Sequence, residues 1–257
     1  MKTTTILKLS ALLAALSGAA NAALMGHWKF DEGSGTTAAD SSGSGYDADV
    51  HVTEGTSAWI AGKAGGAYQQ PRFTLDAAES DALNLPGGSV TVSVWVTAHN
   101  TAQYGGIAGL EGTGATGDIY GFKMDNADKL NWTAVGGSAQ VSPDTLTNYA
   151  AATGDGWVHL VGTYDGVTGV STAYVNGSQV MSTTQAGGIP DKTTPSLFRI
   201  GTYWNSNSYE FNGAIDDVQV YDQALTAGEV ATLNANPGVP LGGGPSEVTM
   251  GAPSAST

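Results

Sequence analysis

Hydrophobic and polar residues alternate in several short stretches of this chain, and a period of two predicts β-strands. The clearest stretch runs from Val90 to Val96, with a valine at every second position. The intervening positions carry Thr91, Ser93 and Trp95. Because a large aromatic ring lies on the face away from the valines, we expect this strand to be buried on both faces.

Turn-forming pairs separate such stretches. Asn176-Gly177 follows a hydrophobic run and is a strong signal for a two-residue hairpin. Asp165-Gly166 and the segment 125–129 predict further hairpin ends. With 37 glycines among 257 residues and only one convincing helical pattern after the N-terminal segment, the sequence predicts an all-β fold.

The segment 211–233 combines a strand with a helix. Asp216 and Asp217 interrupt a β-favouring run, where acidic residues are poorly tolerated, and they therefore need an explanation. Thr226 and Glu229 follow, three residues apart, ahead of a hydrophobic pair. This is the spacing of a capping box, so we expect a short helix near the C-terminus.

Five segments, in the same order, resemble strands of the laminin G-like, concanavalin A-like jelly-roll modules. They are MGHWKFDEGSGTTAADSSGSGYDADV, SVTVSVWV, GWVHLVGTYDG, AYVNGSQV and FNGAIDDVQVYDQALTAGEVATL. The resemblance extends over residues 24–234 and implies a two-sheet antiparallel jelly-roll sandwich with one short C-terminal helix. Such modules are common in secreted bacterial proteins.

Residues 1–22 have the pattern of a secretory signal peptide. Lys2 and Lys8 flank a short apolar region that ends in a small-residue cleavage site at Ala22. We expect the mature chain to begin at Ala23 and to be secreted into the extracellular space or the periplasm. The apolar region is too short to span a bilayer, and no later stretch approaches the length of a membrane helix.

The rest of the chain divides into two parts. Residues 23–236 are expected to form one jelly-roll domain. Residues 237–257 are rich in glycine, proline and serine, and they are interpreted as a disordered tail or the stub of a linker. The sequence leaves the oligomeric state open.

The chain is strongly acidic, with a formal net charge of −14. Removal of Lys2 and Lys8 leaves 7 basic against 23 acidic residues, a net charge of −16. Such a surface repels phosphate backbones, so the composition argues against nucleic acid as a partner. Cysteine is absent, which excludes disulfides and thiol chemistry.

Calcium is the cofactor that the resemblance implies. Modules of this kind often hold a structural Ca²⁺ between the opening loop and the closing strand. By motif, the candidate ligands are Asp31, Asp40 and Asp217, with Asp216 and Glu32 as second choices. Calcium prefers six to eight oxygen ligands and tolerates irregular acidic loops. Alternatively, the first two aspartates only cap turns.

Carbohydrate is the predicted partner, as a polysaccharide or the glycan of a glycoprotein. Sugar rings stack on aromatic rings, and their hydroxyls need polar partners. The predicted ligand-binding residues lie in one loop and on strands beneath it: Tyr203, Trp204, Asn205, Trp132, Tyr104 and Tyr120. The alternative is that these aromatics only cover sheet edges and loops.

No catalytic residue is assigned. The related glucanases use a strand with alternating Glu and Asp, and this chain has no such strand. Glu111 and Asp118 flank a glycine-rich stretch and are interpreted as solvated loop acids, with convergence of the two carboxylates in the fold as the alternative. The four histidines are scattered, and His27 and His159 are interpreted as packed core residues.

Three functions remain open at this point. The first is a secreted module that binds carbohydrate or extracellular matrix, or serves in adhesion. The second is a polysaccharide-degrading enzyme, a glycoside hydrolase or a lyase, on the same fold. The third is a structural protein of the cell surface. The fold alone does not choose among them.

Overall fold

A computed structural model describes residues 22–50, 58–70, 72–99, 103–111, 118–135, 137–185, 187–191, 196–202 and 209–242. These residues form sixteen strands and three helices, which confirms the all-β prediction. The strands are β1 (Leu24–Trp28), β2 (Thr37–Ala38), β3 (Ala48–Val50), β4 (Ala58–Ala61), β5 (Gly66–Gln69), β6 (Phe73–Thr74), β7 (Val90–Val96), β8 (Gly105–Glu111), β9 (Asp118–Met124), β10 (Lys129–Ala134), β11 (Gly137–Thr145), β12 (Val158–Tyr164), β13 (Val170–Val175), β14 (Ser178–Thr184), β15 (Leu197–Ile200) and β16 (Ala214–Tyr221). The helices are α1 (Ala77–Ala82), α2 (Leu146–Thr153) and α3 (Ala227–Ala235).

The strands form two antiparallel sheets of eight strands each. Sheet I has the order β14-β13-β12-β7-β16-β5-β4, and β1 pairs with the C-terminal half of β16 beside β5. Sheet II has the order β11-β10-β9-β8-β15-β6-β3-β2. The predicted two-sheet antiparallel sandwich is therefore confirmed.

The main hydrophobic core lies between the two sheets. Trp28 stacks on Phe198 with ring centroids 5.2 Å apart, and Phe122 packs against Trp132 at 4.8 Å. All four rings are at least 98% buried. Each such side chain contributes roughly 1.5–3 kcal/mol through burial, so the sandwich needs no disulfide to hold its sheets together.

The local strand predictions also hold. Every residue of β7 is buried, as expected for a strand covered on both faces. Asn176 and Gly177 join β13 to β14 with φ angles of 50° and 76°, which are the positive values that a tight hairpin turn requires. The segment 125–129 forms the β9–β10 turn.

The capping box of α3 is present, since Thr226 and Glu229 exchange hydrogen bonds at its N-terminus. Two further helices were not predicted. Asp76 and Glu79 form a second capping box at α1, whereas α2 has Thr145 as its N-cap residue. Both are at most eight residues long, and a cap without a repeated hydrophobic pattern was too weak a signal to identify them.

Helix α3 covers part of the outer face of sheet I. Its Val230 and Leu233 pack against Val161, Tyr174 and Tyr221 in a second hydrophobic cluster. Among the described residues, no helix has the length and hydrophobicity needed to span a membrane.

The two acidic residues of β16 lie at a β-bulge. Asp217 has a φ of +50°, and the register against β7 shifts between Asp216 and Gln219. The Asp217 carboxylate is hydrogen-bonded to His27 Nε2 at 2.7 Å, and it accepts from Gln219 Nε2 and from the Gly238 backbone N–H. Buried hydrogen bonds therefore explain an acid that a strand pattern alone disfavours.

Candidate site on the outer face of sheet II

A row of directly paired residues crosses the middle of sheet II. Arg199 lies opposite Thr74 on one side and Gly109 on the other. Gly109 pairs with Gly121, and Gly121 pairs with Thr133. Residues paired in this way share one face of a sheet. We call these five residues the cross-sheet row.

The cross-sheet row faces away from the core. On β15, β9 and β10, the neighbouring positions Phe198, Ile200, Phe122 and Trp132 all belong to the core cluster. Successive side chains of a strand point to opposite faces, so the row occupies the outer face.

Two glycines leave the centre of this row without side chains. A Cβ added to Gly109 would lie 2.6 Å from the Gly121 Cα, and one added to Gly121 would lie 2.7 Å from the Gly109 Cα. Gly121 also has a φ of +151°, which residues with side chains rarely adopt. Glycine is therefore required at both positions, and these two buried residues leave the backbone beside Arg199 without side chains.

Arg199 forms a loose ion pair on this face. Its Nη1 lies 3.8 Å from Oε2 of Glu111, and the two side chains are 4% and 7% exposed. Burial lowers the pKa of Arg199 from its usual value, although the Glu111 charge opposes this shift. A distance of 3.8 Å is too long for a hydrogen bond, so Coulomb attraction alone joins these two atoms.

Three polar atoms of the cross-sheet row are buried and have no hydrogen-bond partner among the described residues. They are Arg199 Nη1, Thr74 Oγ1 and Thr133 Oγ1. Buried polar groups in proteins nearly always have a partner, because an unpaired one costs about 1–3 kcal/mol. The outer face of sheet II thus concentrates unused hydrogen-bonding capacity in one line.

A second arginine lies beside the row. Arg72 precedes β6, forms an ion pair with Glu210, and has buried Nε and Nη1 atoms without a hydrogen-bond partner in the described part of the chain. Arg72 and Arg199 are the two arginines of the whole sequence. Arg199 lies on β15, and Arg72 directly precedes the neighbouring strand β6.

An aromatic pair lies at the start of β8. Tyr104 and Tyr209 meet edge to face with ring centroids 6.0 Å apart, and Tyr104 is 45% exposed. Tyr104 is five residues from Gly109, or roughly 16 Å along the strand. This predicted ligand-binding residue thus has a ring surface available to a partner.

Two other predicted ligand-binding residues lie in the core, which corrects the prediction. Trp132 is 1% exposed, and its Nε1 donates to Ser171 Oγ at 3.0 Å. Tyr120 is fully buried, and its hydroxyl donates to the Leu83 carbonyl at 2.7 Å. Both were assigned to the correct strands but to the wrong face, because each points to the core side of sheet II. The remaining predicted residues, Tyr203, Trp204 and Asn205, lie outside the described residues.

Asp40 is one of the three predicted calcium ligands, and its carboxylate accepts five hydrogen bonds. The donors are the backbone N–H groups of His27, Ser42, Gly45 and Tyr46 and the Ser42 hydroxyl. Burial acts to raise its pKa, but these hydrogen bonds outweigh burial and lower it. These hydrogen bonds hold the loop of residues 40–46 around the Asp40 carboxylate and tie it to β1 at His27.

The other two predicted metal ligands are also held by nitrogen donors. Asp31 is exposed and accepts from the Gly66 N–H at 2.7 Å, whereas Asp217 belongs to the buried network described above. No group of three acidic or histidine side chains comes together within the described ranges. These contacts do not test calcium binding, which stays a prediction.

Glu111 differs from its interpretation as a solvated loop acid. It ends β8, is buried, and lies opposite Asp118 in the β8–β9 register. His27 and His159, by contrast, are 1% exposed, as expected for packed histidines. The cross-sheet row itself was not anticipated, although glycines within two hydrophobic strands were a visible signal.

Comparison with protein families assigns the chain. Residues 73–231 match the model of the concanavalin A-like lectin/glucanases superfamily, in its laminin G type, and the chain belongs to this family. No match was found among curated proteins.

Solved structures share this fold at low sequence identity. Domain 4 of AbnA, an extracellular GH43 arabinanase from Geobacillus stearothermophilus solved with arabinotriose, is 21% identical with a TM-score of 0.53. The alignment covers 83% of this chain and 98% of that domain. The binding domain of Paraclostridial Mosquitocidal Protein 1 is 15% identical with a TM-score of 0.60, and 82% and 51% of the two chains are covered.

Trypanosoma rangeli sialidase is 16% identical with a TM-score of 0.57, over 82% of this chain and 32% of the sialidase. This chain thus spans about a third of the sialidase, about half of the mosquitocidal binding domain and nearly all of the arabinanase domain. At these identities, the similarities establish the fold.

Proposed function

We propose that this protein is an exported carbohydrate-binding module that holds a glycan on the outer face of sheet II. The observation that carries the proposal is the cross-sheet row, where three buried polar atoms without partners flank a strip of backbone free of side chains. A ligand that lies on Gly109 and Gly121 would bring hydrogen-bonding groups to these atoms.

Sugar chemistry suits this arrangement. Each hydroxyl of a sugar donates and accepts hydrogen bonds, so it pairs with threonine hydroxyls as well as with a guanidinium. Gly109 and Gly121 have no side chain that would hold a sugar ring away from the backbone, and Tyr104 offers a partly exposed ring at the start of β8. The similar arabinanase domain was solved with arabinotriose, which supports a glycan as the ligand class.

A glycan array followed by NMR titration would test the proposal. We expect binding to at least one glycan, with the largest amide shifts at Gly109 and Gly121. Asn131 lies on the same outer face, two residues before Thr133, so Asn131→Trp should abolish binding by filling the face.

Val167 provides the matched control, because it is 94% exposed in the β12–β13 turn of sheet I. Val167→Trp adds the same bulk and should leave glycan binding unchanged. Amide shifts confined to sheet I, or equal loss of binding in both variants, would contradict the assignment of the face.

Export is part of this proposal and follows from the N-terminal pattern of residues 1–22. N-terminal sequencing of protein recovered outside the cytoplasm should begin at Ala23. Recovery of the exported form with Met1 still present would contradict a cleaved signal peptide.

Calcium binding is likewise proposed as a separate, structural property. If calcium binds the native state alone, it should raise the melting temperature, and Asp217→Ala should remove the increase. Asp165→Ala, at the turn between β12 and β13, is the control that should keep it. Elemental analysis of the purified protein completes the test, since a tightly held ion would not respond to added calcium.

A further inference from the structure

A single histidine joins two segments where β8 and β16 begin. His99 lies three residues after β7 and is 3% exposed. Its Nδ1 accepts a hydrogen bond from the Asn212 backbone N–H at 3.0 Å, and its Nε2 donates to the Gln103 carbonyl at 3.1 Å. The imidazole also stacks on Phe211 with ring centroids 5.3 Å apart. One side chain thus connects the segment before β8 to the segment before β16, and we call this arrangement the His99 clasp.

The His99 clasp lies directly beside the exposed tyrosine of the candidate site. Tyr104 follows Gln103 in the chain, and Tyr209 on the other segment meets its ring edge to face. A Cβ added to Gly105 would lie only 2.9 Å from Cε1 of His99, so the imidazole packs tightly against the start of β8. The position of the Tyr104 ring therefore depends on the two segments that the clasp joins.

The protonation state of His99 decides whether the clasp is complete. A backbone N–H can only donate, so the contact with Asn212 needs an Nδ1 without a hydrogen. The Gln103 carbonyl can only accept, so Nε2 carries the hydrogen. A protonated imidazole would place two N–H groups against each other at Nδ1. Because both groups are then donors and the site is buried, this hydrogen bond is lost at a cost.

The groups around the clasp act on this equilibrium in both directions. Burial lowers the pKa of His99, whereas the hydrogen bond to Gln103 and the charge of Asp128 in the β9–β10 turn act to raise it. Glu210 lies on the segment before β16, and its carboxylate forms an ion pair with Arg72. Burial is the largest of these effects, so the imidazole is neutral at neutral pH and the clasp is closed there.

We propose that His99 is a positioning residue for glycan binding, which holds Tyr104 in place while its imidazole is neutral and releases it on protonation. This inference rests on the proposed function and adds control by acid to it. Among the described members of the predicted ligand-binding set, Tyr104 is the exposed one. Release of its segment weakens stacking on a sugar ring, and loss of one such aromatic contact corresponds to about a tenfold change in affinity.

The binding test uses the full chain and the glycan that binds most tightly on the array. Its affinity is measured in steps from about pH 7.5 to about pH 4.5, the range in which buried histidines commonly titrate. We expect the affinity to fall about tenfold as His99 becomes protonated. Tyr104→Ala should show the low affinity at every pH, because the ring on which His99 acts is then absent.

His99→Asn separates positioning from titration. Its Oδ1 is bonded to Cγ, as Nδ1 is in histidine, so it can accept from the Asn212 N–H but does not titrate. This variant should keep the higher affinity and lose the pH dependence. If it fails to fold, Tyr104→Ala and the Asp128 variant described next still decide the outcome.

Asp128→Asn should shift the pH midpoint of binding without removing the clasp. The charge of Asp128 favours the protonated imidazole, so its removal should move the midpoint to lower pH. Asparagine tolerates the φ of 56° at this position, as aspartate does. Asp165→Asn removes the same charge from the β12–β13 turn of sheet I and should leave the midpoint unchanged.

The clasp can also be observed without a glycan. NMR of the His99 ring should show the hydrogen on Nε2 at neutral pH, and the Asn212 amide should exchange faster with solvent as the ring is protonated. This measurement separates failure of the clasp from failure of glycan binding.

Three results would overturn the inference. An affinity that does not change with pH, or the same pH dependence in His99→Asn, would leave the glycan site intact but refute control by His99. A pH dependence that persists in Tyr104→Ala would show that Tyr104 is not the ring that His99 positions. Absence of binding to every glycan, with the expected amide exchange at Asn212, would refute the proposed function and the positioning role but not the clasp.

Discussion

The outer faces of the two sheets carry similar polar rows, but the centre of one row holds a tryptophan and the centre of the other holds two glycines. In sheet I, His159 pairs with Trp95 and Trp95 pairs with Asp216. This row also contains buried atoms without hydrogen-bond partners in the described structure. However, the Trp95 ring stacks on His159 at 4.8 Å, and Lys63 Nζ lies 4.6 Å from its centroid.

In sheet II, the corresponding central positions are the two glycines. The contrast shows that unpaired polar atoms alone do not define a binding site, since both rows have them. What distinguishes the row of sheet II is that its two central positions carry no side chain. We expect the polar groups of sheet I to serve stability and those of sheet II to serve binding.

The largest effect is expected from the buried acid of sheet I. Asp217→Asn should lower the free energy of unfolding by about 3–5 kcal/mol, the usual cost of removing one partner from a buried pair. Glu111→Gln on sheet II should cost less, because its contact with Arg199 is 3.8 Å long rather than 2.7 Å. Chemical denaturation measures both. Equal losses of unfolding free energy in the two variants would contradict the assignment of stability to sheet I and binding to sheet II.

Stability should depend on pH through the neighbouring acid of the same sheet. Burial raises the pKa of Asp216 to about 7, so between about pH 4 and pH 7 the native state holds a proton that the unfolded state has lost. The free energy of unfolding should therefore fall by about 2–4 kcal/mol as the pH rises through this window, and this contribution should be constant above it. Asp216→Asn should flatten the profile. An unchanged slope in the variant would assign the dependence to another group.

An added methyl group should distinguish the glycines of sheet II from other glycines. Gly121→Ala forces a side chain onto a φ of +151° and against the Gly109 Cα, at a cost of about 1–3 kcal/mol. Gly228→Ala in α3 meets nothing closer than 4.0 Å and should stabilise the protein by about 0.5–1 kcal/mol. Thermal melting of both variants checks the sign. An unchanged melting temperature of Gly121→Ala would show that this position tolerates a side chain.

The smallest effects on stability are expected from the removal of single hydroxyl groups. On sheet I the removal should lower stability, whereas on sheet II it should lower glycan binding. Ser93 is hydrogen-bonded to His159 at 2.9 Å in sheet I, so Ser93→Ala should destabilise the protein by about 1 kcal/mol. Thr133→Val in sheet II should have no cost and should weaken glycan binding instead. A destabilised Thr133→Val would indicate that its hydroxyl is already used within the protein.

Local patterns predicted much of the fold. The alternation in β7, the Asn176-Gly177 turn and the capping box of α3 each depend on residues close in sequence, and each prediction holds. The core-facing position of Trp132 could also be predicted, because Leu130, Trp132 and Ala134 alternate with polar residues in β10. Trp132 was nevertheless assigned to the ligand-binding surface.

Such local patterns did not predict the candidate site. Arg199 meets Gly109 through a pairing of strands 90 residues apart, and no local feature fixes that register. The burial of Glu111 depends on the same pairing, so it was assigned to a solvated loop. Spacing predicts elements, but the partners across a sheet are set by the packing of the whole chain.

The pairing of β1 with β16 brings the two ends of the described domain together. Ala23 exchanges hydrogen bonds with Asp222, and Ala22, Leu24 and Leu241 pack on the same hydrophobic cluster outside sheet I. Entry and exit of the polypeptide therefore share one side of the sandwich, opposite the outer face of sheet II. Because the two ends are adjacent, the domain can be inserted into a loop of a host protein or circularly permuted. In either arrangement its proposed glycan face points away from the point of attachment.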